Sequence, residues 1–330
     1  MRIRLVPLLL LGIGCADAPE PPAPPPPDPV PPTAVFLSPA QHLSRASMAL
    51  RGVRPSVDEL RAVTADPAML PTLVDGYLSS PEFGKTIREL HNDALLVRVE
   101  QNNMTYPALA PLTGITARQM NDGVFEEPLA LIEDIVMTDQ PYTQIVTADY
   151  TMANGVTAAV WGLPHTGAPE VWERTSYADG RPAAGILSSN ALYHRWRSTG
   201  FNYNRGRANE LSRALLCHDF LDADIQIDTS VDLSDPDVVA NAVVENASCA
   251  GCHQTLDPLA SYLFTFRNSL NPGAVDAYPI TYFTPNQVDR WQTTNKRSPM
   301  FFGETAHGLH FLDLANAGLE ALPLGLLLLQ

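Results

Sequence analysis

Asp235-Pro236-Asp237-Val238-Val239-Ala240-Asn241-Ala242-Val243-Val244-Glu245-Asn246-Ala247-Ser248-Cys249-Ala250-Gly251-Cys252-His253 is the stretch on which the fold turns. Asp235 has the side chain of an N-cap, and Pro236 suits the first helical position, where a missing N–H costs nothing. Val238, Val239, Ala242 and Val243 follow at helical spacing. This predicts a helix that leads straight into Cys249-Ala250-Gly251-Cys252-His253, with His253 just after its end. Asp257-Pro258 then predicts a turn, and Leu263, Phe264 and Phe266 supply apolar packing, either for a flat cofactor or for an ordinary core.

The chain has four cysteines, Cys15, Cys217, Cys249 and Cys252. Two thiols three positions apart, followed at once by an imidazole, form the c-type haem attachment pattern. The thiols reach the two vinyl groups of one porphyrin, and the imidazole falls under the iron as proximal ligand. Cys249 and Cys252 are therefore the expected attachment residues for haem c, and His253 the expected iron ligand. The alternatives are a redox CxxC pair, which calls for a βαβ setting absent from this segment, and a zinc site, for which Cys217-His218 is the nearest second pair. Met300, 47 residues after His253, ranks first as the distal ligand, ahead of His307 and His310. Cys217 is expected to be a buried thiol, or else to pair with a cysteine lost from the tail.

Working outward, the chain has 30 prolines in 330 residues, where about 5% is usual. Ten of them fall between Pro19 and Pro32, so the excess is local. That segment is expected as polyproline II, about 43 Å long over fourteen residues at its rise per residue. Before it, Arg2 and Arg4 precede an apolar run, Leu5 to Ile13, too short to span a bilayer and suited to a signal peptide. Gly14-Cys15 at the end of that run resembles the lipobox of bacterial lipoproteins. The resemblance implies cleavage after residue 14, lipidation of Cys15 and a membrane anchor; the alternative is ordinary signal cleavage after Ala16-Asp17-Ala18. Ala16, in place of Asp, implies sorting to the outer membrane. The formal charge is −15, and 21 basic residues less Arg2 and Arg4 against 36 acidic ones leave −17 after cleavage. No nucleic-acid partner is expected of so acidic a chain.

The remaining pattern is helical. Ser56 and Glu59 form a capping box for a helix through Leu60 and Val63. Thr72 to Leu78, a segment capped by Ser80, Glu126 to Val136 and Asn209 to Phe220 are further helices. Glu126 and Glu127 sit in a first turn, the favourable end of the helix dipole. Strand signals are sparse; the best is Tyr278 to Phe283, weakened by Pro279. The expectation is a mainly α protein with long loops at 162–180 and 267–300. Its parts are a signal peptide (1–14), a lipidated linker (15–40), a helical domain (41–162) and a haem-binding region (163–330). No nucleophile–base set, HExxH or phosphate-binding glycine loop is present. Adjacent Glu133 and Asp134 are expected on a solvated face. Arg181, Arg205 and Arg207 are expected either on haem propionates or in surface salt bridges.

Asp149-Tyr150-Thr151-Met152-Ala153-Asn154, Arg181, Gly185-Ile186-Leu187, Arg205-Gly206 and Cys249-Ala250-Gly251-Cys252-His253 with Asp257-Pro258 occur in that order. Their order resembles the planctomycete-type cytochrome c family, exported multidomain proteins with a CxxCH segment near the C-terminal end. Leu50 to Leu60 and Leu73 to Gly84 are similar to a helical segment of the same group. The resemblance spans roughly residues 41–315 and implies export and haem binding without naming a substrate. The family's glycine and later acids after the motif give way here to Leu259–Phe266. Ala321 to Gln330 is a leucine run, expected either as a truncated or frameshifted end or as a helix docked on the body. The combined expectation is an envelope lipoprotein with one haem, active in electron transfer with a redox partner protein. A haem-dependent, peroxidase-like oxidoreductase and a structural module of an envelope complex are the alternatives.

Overall fold

The computed structural model describes residues 36–98, 107–199, 203–222 and 228–285, with two short segments at 300–301 and 304–305. Cys15, the proline-rich linker, His307, His310 and the leucine run lie outside the described residues. The protein is mainly α, as its periodicity predicts. In chain order the helices are α1 (Pro39–Arg51), α2 (Val57–Ala65), α3 (Leu70–Leu78), α4 (Pro81–Leu95), α5 (Ala117–Phe125) and α6 (Glu127–Met137). They continue as α7 (Gln144–Thr147), α8 (Gly155–Trp161), α9 (Asn190–Arg195), α10 (Arg205–Leu215), α11 (Pro236–Glu245) and α12 (Ala247–Ser261). Strands are short. β1 (Thr151–Ala153) pairs antiparallel with β2 (Glu173–Thr175), and β3 (Met300–Phe301) with β4 (Glu304–Thr305). Among the described residues no helix is long and apolar enough to cross a membrane.

Local signals explain the early helices. Ser56 and Glu59 close a capping box on α2, and Ser80 caps α4 with Pro81 at its first position. Leu43, Val63 and Tyr77 form a small core between α1, α2 and α3, with the Arg51 guanidinium 3.6 Å over the Tyr77 ring. The main core runs from Ile87 to Phe283, on both sides of residue 162. Helix α6 is its centre. Leu129, Leu131, Ile132 and Ile135 are fully buried, each worth about 1.5–3 kcal/mol by area. Helix α4 packs against α6, and Arg88 bridges the two through Glu126 and Glu133.

Several expectations are corrected. Glu133 and Asp134 do not form a solvated face. Glu133 pairs with Arg88, and Asp134 accepts from Tyr150 Oη at 2.8 Å and Arg174 Nε at 2.9 Å. The helix expected over Asn209–Phe220 starts at Arg205 and stops at Leu215. Cys217 then takes a left-handed conformation (φ 53°) and is exposed, not buried. Phe220 fills the core instead, because Asn209 accepts its backbone N–H at 2.7 Å and draws the chain back. Tyr278–Phe283 is not a strand; a single bridge joins Phe283 to Phe266. Within the 162–180 loop, β2 supplies regular structure.

Candidate functional site

The helix predicted from Asp235 forms as α11 and leads into the CxxCH segment, which is not a loop past its end but lies inside the next helix, α12. Asn246 ends α11 and restarts the chain as N-cap of α12, accepting from Ser248 N at 3.0 Å and Cys249 N at 3.4 Å. No linker separates the two helices, which pack on each other. The two halves of α12 differ. Leu256 to Ser261 are buried in the main core, whereas Cys249, Cys252 and His253 are half-buried and Gly251 is exposed with open space around it. The buried half roots the helix, and the other half presents the motif. Leu263, Phe264 and Phe266, beyond the helix, are core residues.

Helical spacing puts Cys249, Cys252 and His253 on neighbouring positions of one face. Both thiols are free of disulfides. His253 Nδ1 is 2.8 Å from Asp257 Oδ1, one turn on. With Nδ1 held by a carboxylate as donor, the lone pair is left at Nε2. Asp257 is fully buried, and the expected turn at Asp257-Pro258 is continuous helix. The physical reason is the side chain's engagement. Arg205 Nε donates to Oδ1 at 2.6 Å and Nη2 to Oδ2 at 3.0 Å, so the carboxylate is unavailable for an Asx turn. Burial alone would push the Asp257 carboxyl up; bonds from His253 and Arg205, with Arg205's charge, outweigh it and lower its pKa to about 2. Asp257 is a site residue that the motif alone does not reveal, although His-x-x-x-Asp is the i, i+4 spacing of a helix. Arg205, 52 residues away, has no local signal for this role.

The three arginines each have partners within the chain. Arg205 holds Asp257. Arg207 is buried and donates to the carbonyls of Tyr193, Trp196, Arg267 and Asn268. Arg181 pairs with Asp179, donates to Asn190 Oδ1 at 2.8 Å and stacks 3.5 Å over Tyr177. Neither Arg207 nor Arg181 is a simple surface ion pair. Met300 lies in β3, which runs beside α12.

A second polar centre collects the upstream motifs. Glu127 is fully buried; its Oε1 accepts from Thr151 Oγ1 at 2.9 Å and Tyr177 Oη at 2.7 Å. Among the described residues its Oε2 has no hydrogen-bond partner. Burial pushes its carboxyl pKa up, against the bonds from Tyr177 and Thr151 and the nearby Ser189 hydroxyl and Arg181 charge. Gly185 takes a left-handed conformation (φ 53°) against the backbone of α7; a Cβ there would overlap Ile145 O. A pocket alongside is lined by Tyr150, Thr151, Tyr177, Arg181 and Ser188. Spacing places Glu127 at a helix start, but its partners are 24 and 50 residues away.

Among the described residues no three His, Cys, Asp or Glu side chains are grouped to hold a bare metal ion. No family model matches the chain, and no match is found among the curated proteins or the solved structures.

Proposed function

We propose that the chain is an envelope lipoprotein carrying one covalently bound c-type haem and working in electron transfer. The observation that carries this reading is the face of α12. It offers two half-buried cysteines free of disulfides, Cys252 packed against the main core, and an imidazole whose Nδ1 is already engaged. These residues fit haem c chemically. Each thiol would add across one vinyl group, sulfur to one carbon and hydrogen to the other, with no oxidant consumed. Cys249 and Cys252 would hold the porphyrin edge, and His253 would offer Nε2 to the iron. When bound, the haem supplies one-electron redox chemistry. Met300, on the strand beside α12, is the candidate distal ligand. Cys15 is the candidate lipid anchor, on the outer membrane with the body facing the periplasm or the surface. A redox partner protein completes the reading.

One observation favours the alternative, a peroxidase-like oxidoreductase. A carboxylate accepting from the proximal imidazole makes that ligand more basic and favours the oxidised iron. This would suit peroxide chemistry more than a high-potential carrier.

The test is intact-mass analysis of the full chain made in cells with haem-maturation machinery. The mass should rise by one haem, and Cys252→Ala should lose a stable two-point attachment. Cys15→Ala should move the protein from the membrane to the soluble fraction. A thioether charge-transfer band that disappears in Met300→Ala supports the carrier, whereas five-coordinate ferric iron supports the oxidoreductase. An unmodified mass in cells that mature other c-type cytochromes contradicts the haem reading.

A further inference from the structure

We propose that Arg205 is a positioning residue for His253, acting through Asp257 to fix the imidazole and limit the negative charge it feels. The inference rests on the haem reading above and goes beyond it by assigning the group that tunes the proximal ligand.

Three observations carry it. First, Asp257 Oδ1 is shared: it accepts from His253 Nδ1 at 2.8 Å and from Arg205 Nε at 2.6 Å. Two donors on one oxygen compete for its electron density, so Arg205 weakens the pull that Asp257 exerts on the imidazole N–H. The bidentate bond through Oδ2, at 3.0 Å, also fixes the carboxylate plane. Second, the pair is shielded. The Asp257 side chain is 0% exposed and that of Arg205 18%, so water screens their interaction little. Third, the sequence breaks two local rules to put Arg205 there. Arg205 opens α10, where a cation opposes the helix dipole. The two preceding residues, Tyr203 and Asn204, are both left-handed (φ 53° and 63°), an uncommon state for non-glycine residues. Asn204 is buried in that state; its N–H donates to Ser198 Oγ at 2.9 Å and its Oδ1 accepts from Arg207 at 3.0 Å. The start of α10 is thereby pinned, and the first side chain it presents spans to α12.

A positioning role and a merely structural one separate in the reduction potential. In the haem-loaded full chain, Arg205→Gln removes the competing donor and its charge, so the potential should fall. Asp257→Asn removes the anion, so the potential should rise. Arg205→Lys keeps the charge without the fork and should lie between wild type and Arg205→Gln. Unchanged potentials in loaded, folded variants overturn the inference while leaving the haem reading intact. Loss of haem from the wild type overturns the haem reading instead. In that case nitrogen-15 spectra of the haem-free full chain, with the imidazole neutral, still decide the positioning role. His253 should be protonated at Nδ1 in the wild type, and its Nδ1 proton should move downfield in Arg205→Lys as Asp257 pulls on it harder. Mixed tautomers already in the wild type overturn it.

Discussion

Asp257 Oδ1 lies 2.8 Å from His253 Nδ1, and the two residues occupy successive turns of one helix whose far half is buried. The relation is asymmetric. Asp257 is fully buried and also holds Arg205, while the His253 side chain is 24% exposed. Asp257→Ala should therefore cost about 3–5 kcal/mol, because it leaves a shielded guanidinium without its counter-ion. His253→Ala should cost about 1 kcal/mol or less, as for a solvent-accessible pair. Urea unfolding of the haem-free chain checks both. Equal costs would place His253 among the structural residues.

Glu127 predicts a pH effect. Burial raises its folded pKa above its ordinary value of 4.5. The folded state thus binds this proton more tightly than the unfolded one. That contribution is fully present below pH 4.5 and is lost as pH rises through the folded value. Glu127→Gln should gain stability relative to wild type as pH rises. Melting curves of both proteins at several pH values measure the difference, and a parallel pair of profiles would contradict the assignment.

Arg207 is a buried cation satisfied by neutral acceptors: four backbone carbonyls, Asn204 Oδ1 and Tyr282 Oη. Arg207→Met should cost on the order of 3 kcal/mol, since the carbonyls of Tyr193, Trp196, Arg267 and Asn268 lose their shared donor. The shift in urea midpoint reads this out. A neutral result would mean that other donors replace the guanidinium.

Two left-handed glycines make a controlled pair. Gly185→Ala drives a Cβ into Ile145 O, so backbone must move; Gly180→Ala (φ 80°) meets nothing within 4 Å. Gly180→Ala should cost about 1 kcal/mol from conformation alone, and Gly185→Ala substantially more. Thermal unfolding of the two variants should rank them in that order.

Cys217 is exposed, and Cys249 and Cys252 are half-buried and free. If the last two carry haem and Cys15 carries lipid, native thiol titration should find one reactive thiol, at Cys217. The haem-free lipidated chain should yield the other two on unfolding. A loaded protein with three titratable thiols would contradict thioether attachment.

The parts of this fold legible in sequence are those whose cause is local. Ser56 with Glu59, Ser80 with Pro81, and Asp235 with Pro236 each put a cap beside its helix, and all three helices form. The course of α12 is not legible in this way. Asp257-Pro258 carries a turn signal, and what overrides it is a side chain held by Arg205 from another helix. Cys217 departs from its expected burial for a similar reason: Asn209 and Phe220 decide which residue returns to the core. Of the candidate site, the thiols and imidazole are plain from spacing. The Asp257–Arg205 pair and the setting of Glu127 depend on partners 24 to 52 residues distant.

Covalent haem on α12 is read most directly in the absorption spectrum of the purified full chain in alkaline pyridine after acid–acetone extraction. The protein should come from cells that mature c-type cytochromes. A c-type haemochrome should stay with the polypeptide, at about one haem per chain, and be lost when Cys249 and Cys252 are both replaced by Ala. A colourless chain with both cysteines intact, or a haem that extracts completely into acetone, would contradict it.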